Sequence, residues 1–161
     1  MGQEAIDRAA REARRRRVLG AGTGCPRCGW EELPALTKGA NGVLCYECCC
    51  AAHGRATVEE HHHVGRANDP ATVGVPGNLH RELSERQQDW PAEARRNVER
   101  DPLLWLAAAC YGLRDHLAWW AAWLARVADW LVALARALRE HSGPAWWTEL
   151  GVGAPWQGAA S

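Results

Sequence analysis

Two cysteine pairs constrain this chain more than any other feature. Cys25-Pro-Arg-Cys28 and Cys45-Tyr-Glu-Cys48 are both C-x-x-C, with sixteen residues between them. A C-x-x-C knuckle turns both of its sulfurs inward, and two knuckles complete a tetrahedron with metal–sulfur arms of about 2.3 Å. Four thiolates leave no open coordination position, so the expected ion is a structural Zn²⁺. Apparent binding energies of roughly 10–16 kcal/mol let such a site stand in for a hydrophobic core. Gly29 follows Cys28 directly and suits the knuckle turn. Cys48, Cys49 and Cys50 are contiguous, with His53 close behind, so the fourth ligand has more than one register. Only Cys48 completes a C-x-x-C with Cys45, which leaves Cys49 and Cys50 as spare thiols. Cys110 lies in an apolar run and reads as a small core residue.

The remaining bounds are broad. At 161 residues there is room for one modest domain and an appendage. A formal charge of zero provides no global pull toward nucleic acid. The first twenty residues differ, with six arginines against three acids. Arginine suits bidentate phosphate contacts, although this segment equally reads as a solvated helical arm. The charged N-terminal stretch has no apolar signal region. C-x-x-C spacing without a signal favours metal over disulfides and a reducing, cytoplasmic setting. The longest uncharged stretch of the tryptophan-rich half, Pro102 to Leu113, is short for a bilayer, so no membrane span is expected.

Composition shifts divide the chain into five parts. Residues 1–22 form a basic helical arm, in which Glu4–Arg8, Asp7–Arg11 and Glu12–Arg16 stand at supportive spacing. Residues 23–56 form the cysteine-bearing ribbon and 57–92 a histidine-bearing core. Residues 101–141 are a Trp/Leu-rich helical region and 142–161 a tail rich in Gly, Ala and Pro that keeps Trp146, Trp147 and Trp156. The fold class expected is α+β.

The histidine-bearing part carries the chemistry. It contains Glu59-Glu-His-His-His-Val-Gly-Arg66, then Thr72-Val-Gly-Val75 and Asn78-Leu-His80-Arg81. Asn78 is a plausible N-cap, which places His80 in a helix's first turn. Neighbouring histidines on a strand point to opposite sides. One of His61 and His62 therefore faces a metal while the other reaches a water from the strand end. This constellation, with the ribbon upstream, resembles the HNH-family nucleases, in which a two-strand ribbon and a helix surround one catalytic metal. The resemblance covers roughly Cys25 to Trp90. It implies His61 and His80 as ligands of a catalytic divalent ion, Mg²⁺ or Mn²⁺ first, with Ni²⁺ or Zn²⁺ as alternatives. It also implies His62 as general base, Arg66 and Arg81 as phosphate supports, and DNA as substrate. The family's middle asparagine ties the loop to the helix, and either Asn68 or Thr72 fills that position. An additional family histidine corresponds to Ser84, which leaves two protein ligands, with water or Asp69 completing the shell.

Beyond Asp101, the residues Leu103, Leu106, Cys110, Leu113, Leu117, Trp120, Leu124, Val127, Leu131, Leu134 and Leu138 alternate at steps of three and four. That is a heptad seam, and it must bury itself against something. Self-association through residues 103–138 comes first, packing onto the nuclease core second and membrane-surface binding third. Gly112 is a candidate kink or break. The reading as a whole is a metal-dependent DNA endonuclease braced by a zinc ribbon. Its alternatives are a ribonuclease using the same centre and a non-catalytic zinc-ribbon adaptor for DNA or protein.

Overall fold

The computed structural model describes residues 3–20, 22–39 and 42–149. The described residues fall into two units that divide between His116 and Leu117. The fold is α+β. Helix α1 (Gln3–Leu19) leads to a 3₁₀ turn at Leu33–Ala35 and the strands β1 (Leu36–Gly39) and β2 (Gly42–Cys45). Helix α2 (Tyr46–Ala52) follows, then β3 (Val58–His61), β4 (Val73–Pro76) and α3 (Gly77–Gln87). Helices α4 (Ala92–Arg96), α5 (Pro102–Ser142) and α6 (Trp146–Glu149) complete the order. The part of the tail beyond Glu149, Trp156 included, lies outside the described residues.

Each sheet is one antiparallel pair. β1 pairs with β2 from Leu36–Cys45 to Gly39–Gly42, and β3 pairs with β4 from Val58–Pro76 to His61–Val73. Two strands alone are marginal in water, and each pair is completed differently. The first closes over Cys25, Leu36 and Cys45, with Trp30, Leu33 and Val43 packed around them. The second, β3 and β4, is followed by α3 and packs against it.

α3 does not begin as its sequence suggests. Its N-cap is Pro76 rather than Asn78, and no side chain caps it. Asn78 is buried and clamps two helices instead. Its side-chain oxygen accepts from Glu47 N at 3.1 Å, while its own N–H donates to Glu47 Oε1 at 2.9 Å. Gly77 makes this approach possible, since a Cβ there would lie 2.5 Å from the Tyr46 ring. His80 still stands in the first turn.

α1 is strapped to α3 rather than left as a free arm. Arg11 pairs with Glu85 at 2.6 Å and with Asp89, and Arg15 pairs with Glu85 at 2.8 Å. Burial alone would raise the Glu85 carboxyl, but the two guanidinium groups outweigh it and hold the pKa below its ordinary value.

Gly112 does not break α5, whose helix spans 41 residues. In the unit ending at His116 the helix buries Ala108, Gly112 and Asp115. Val64, Trp90 and Ala108 form the small core there, and Trp90 Nε1 donates to Asp115 Oδ2 at 2.8 Å. The leucine seam is on another side: Leu103, Leu106, Leu113 and Leu117 are all exposed. Cys110, on that seam, is therefore exposed and not a core residue. By length and composition α5 also meets the requirement for crossing a membrane, with an 18-residue window of mean hydropathy 1.3. The length of the uncharged run misses this, because isolated charges interrupt the run without making the helix polar.

A candidate histidine centre beside a cysteine metal site

The cysteine site is built by local turns. Gly29 takes φ +74° and donates its N–H to Cys25 O at 2.8 Å, which closes the first knuckle. Cys45 ends β2 and caps α2, its sulfur accepting from Cys48 N at 3.4 Å. The sulfurs of Cys25, Cys28, Cys45 and Cys48 all lie within 4.8 Å of one another, with Cys28 and Cys45 3.5 Å apart. Arms of about 2.3 Å imply tetrahedron edges of roughly 3.8 Å, so the quartet fits a Zn²⁺ ion. Burial would raise the Cys25 thiol, but backbone N–H groups of Cys45, Arg27 and Cys28 bring it down to about 6. Cys28 and Cys48 shift upward through burial and the neighbouring thiols. Cys49 lies apart, near His53 and Arg55, and Cys50 is buried.

The second centre gathers side chains from distant elements. His61, the last residue of β3, is 2 % exposed. Its ring centroid lies 5.3 Å from that of His80 on α3 and 5.7 Å from that of His116 on α5. Burial, then His80 and His116, lowers the His61 pKa to about 4. His61 is therefore a neutral imidazole at physiological pH. The Gln87 side-chain nitrogen lies 2.7 Å from the His62 carbonyl and 3.2 Å from His61 Nε2. It donates to both.

The tautomers of His62 and His116 follow from their acceptors. His62 Nδ1 is 3.3 Å from the Asp69 carbonyl, and a carbonyl only accepts. Nδ1 therefore carries the proton, and the Nε2 lone pair is left for a water. His116 Nδ1 likewise donates to Gly112 O at 2.9 Å. Its Nε2 lone pair is buried and has no hydrogen-bond partner. His80 Nδ1 sits 2.7 Å from Glu59 Oε2, at ion-pair distance though not aligned as a hydrogen bond. Burial would raise the Glu59 pKa, but the Tyr46 hydroxyl, Arg81 and His80 bring it below its ordinary value. A carboxylate behind an imidazole is the usual outer support of a metal-binding histidine.

The other expected site residues take distinct positions. Asn68, rather than Thr72, ties the loop down. Its Nδ2 donates to Val64 O and Ala94 O, and its Oδ1 accepts from Asn97 Nδ2 at 2.8 Å. Asp69 Oδ1 accepts from Ala71 N, so the residue shapes the loop that holds His62. Arg66 is exposed at that loop. Arg81 is engaged, its guanidinium 4.2 Å above the Tyr46 ring and 3.3 Å from Glu59. His116 and Gln87 are absent from the sequence reading. His116 lies within an apolar helical run, far along the chain from His61. The only available signal was a lone histidine one helical turn after Gly112.

The fold and its sulfur site define a small α+β chain able to hold a structural metal ion such as zinc. No protein-family model, no curated protein and no solved structure matches this chain.

Proposed function

We propose that the chain is a metal-dependent endonuclease of the HNH type that hydrolyses DNA, with the cysteine quartet bracing its fold through zinc. The observation that carries the reading is the fixed tautomer of His62. A ring nitrogen is left free next to a buried neutral imidazole, His61, that is packed against His80 and His116 on a strand–strand–helix unit and α5. His62 Nε2 takes a proton from a water, and the water oxygen attacks phosphorus. The P–O3′ bond breaks, leaving 5′-phosphate and 3′-hydroxyl ends. His61, His80 and His116 are the donors that would hold a divalent ion. Such an ion, when bound, neutralises charge at the phosphate and stabilises the leaving oxygen. Three imidazole donors suit Mn²⁺, Ni²⁺ or Zn²⁺ better than Mg²⁺, which prefers oxygen donors. Among the described residues only the cysteines bring three or more metal donors within 4.8 Å of one another. Loading the histidines therefore requires their rings to turn inward. The exposed seam of α5 fits assembly of the enzyme through a second copy.

Supercoiled-plasmid cleavage with Mn²⁺ or Mg²⁺, comparing wild type with His62→Ala at equal zinc content, tests the reading. A metal-dependent nicking activity reduced about 10²- to 10⁴-fold in the variant is expected. Absence of DNA cleavage by the folded, zinc-loaded protein overturns it in favour of an adaptor, or of a ribonuclease if RNA is cut.

A further inference from the structure

A pocket of about 570 Å³ is lined in part by the loop that holds His62. Arg66, Asn68, Asp69, Asn97, Arg100 and Trp105 line it. Its volume is in the range of sites that enclose a small ligand. Three features describe what it takes. Trp105 is 39 % exposed and lines the cavity wall. Among the described residues, neither the Arg66 nor the Arg100 guanidinium has a hydrogen-bond or ion-pair partner. The one acid in the wall, Asp69, is held by Ala71 N. The third feature is the backbone. Asn97 and Arg100 are the two non-glycine residues with positive φ among those described, at 36° and 56°. Asn97 is locked there by its bonds to Asn68, Asp101 O and Asp101 N. Arg100 has no such side-chain anchor, and non-glycine residues at positive φ cluster at ligand clamps.

A part-exposed indole and two unpaired guanidiniums lining one pocket suit an aromatic base with neighbouring phosphates. We infer that this pocket holds one unpaired nucleotide of a DNA strand, the base stacked on Trp105 and the flanking phosphates on Arg66 and Arg100. The inference deepens the nuclease reading by naming the substrate form, a single-stranded or distorted site. A base inside a duplex presents no free face to an indole, whereas an unstacked one does. Asp69 joins the two sites, since it lines the pocket while its carbonyl orients His62. The bound nucleotide is thereby a close neighbour of the phosphate that is cut.

Fluorescence anisotropy of a labelled oligothymidylate tests this, using His62→Ala protein with zinc in place and no other divalent ion added. The single strand should bind about tenfold more tightly than a blunt duplex, and Trp105→Ala should lose about that factor, as one base–aromatic stack predicts. Trp105→Phe should keep most of the affinity, and a strand with abasic positions should bind wild type no better than Trp105→Ala. Arg100→Gln should weaken binding and lower the salt slope by about 0.7. Trp105 is part-exposed, so its variants should melt as the parent does. Unchanged binding by Trp105→Ala, or equal binding of the abasic strand, overturns the inference. So does free thymidine monophosphate competing as well as the strand, or a stronger preference for oligouridylate. If plasmid cleavage fails while Trp105-dependent binding persists, the nuclease reading falls and the pocket stands. If cleavage depends on His62 but binding ignores Trp105, the pocket alone falls.

Discussion

The sulfur site and the imidazole site solve the same problem by opposite routes. Two knuckles and one helix cap bring four sulfurs together, each through turns of a few residues. Three elements bring the histidines together: the end of β3, the first turn of α3 and the first half of α5. The first arrangement is closed and has no spare donor. The second keeps an orphaned His116 nitrogen and a free His62 nitrogen. Local geometry thus brings four like donors to one point, while long-range packing leaves ring nitrogens without partners. The two should respond differently to damage.

The largest expected contrast is at the ligands themselves. Cys45→Ser should abolish zinc uptake by the quartet and melt the ribbon, since structural zinc sites contribute on the order of 10–16 kcal/mol of apparent folding energy. His80→Ala should leave zinc content and the ribbon's circular dichroism unchanged while removing plasmid cleavage. Zinc stoichiometry and thermal melts of both variants check this. If His80→Ala also lost zinc, the two sites would be one cooperative unit, and the comparison would break.

Gly112 offers a sharper cut. A Cβ at that position would lie 1.9 Å from the His63 carbonyl, so α5 has to move. Gly112→Ala should destabilise by about 3 kcal/mol, the upper end for overpacking, and separate His116 from His61. A melting temperature equal to wild type would show that α5 does not seat there. His116→Ala, by contrast, creates no clash. It should weaken Ni²⁺ binding at the histidine centre at least about tenfold, read by calorimetry on protein whose cysteine site is already filled with zinc.

The same contrast decides what was legible in the sequence. The cysteine quartet could be read because its ligands lie three apart, and backbone turns over such distances are nearly determined by residue type. His61, His62 and His80 could be named as a set through their resemblance to a known family. The structure brings His61 and His80 together and sets His62 against the Asp69 carbonyl. Gly112 looked like a helix break because intrinsic propensity penalises glycine. Its role is close approach, which depends on a carbonyl 49 residues earlier (112 minus 63). His116 was hidden for the same reason. Asn78 carried a strong capping preference, yet it caps α2 through Glu47, because Gly77 lets the two helices meet. The seam of α5 was visible as a pattern. Which side of the helix packs is set instead by Ala108, Gly112 and Asp115.

The smallest expected effect concerns α1, which touches both regions: it packs on β1 and the 3₁₀ turn and is ion-paired to α3. Glu85 is the shared acceptor of Arg11 and Arg15, and its pKa in the folded protein is lowered from 4.5. A carboxylate with a depressed folded pKa stabilises the fold above its unfolded pKa. That contribution fades as pH falls below about 4.5 and is gone once the folded-state value is passed. The pairs are part-exposed, so their worth is discounted to about 1 kcal/mol. Wild type should lose this increment on acidification, whereas Glu85→Gln, already lacking it at neutral pH, should show a flatter stability profile between pH 6 and about 3. High salt should narrow the gap between the two proteins at neutral pH, since part-exposed pairs are screened. Parallel profiles for the two proteins would mean that α1 is held by its contacts to the ribbon alone. The arm would then belong to the sulfur half of the molecule and not bridge it to the imidazole half.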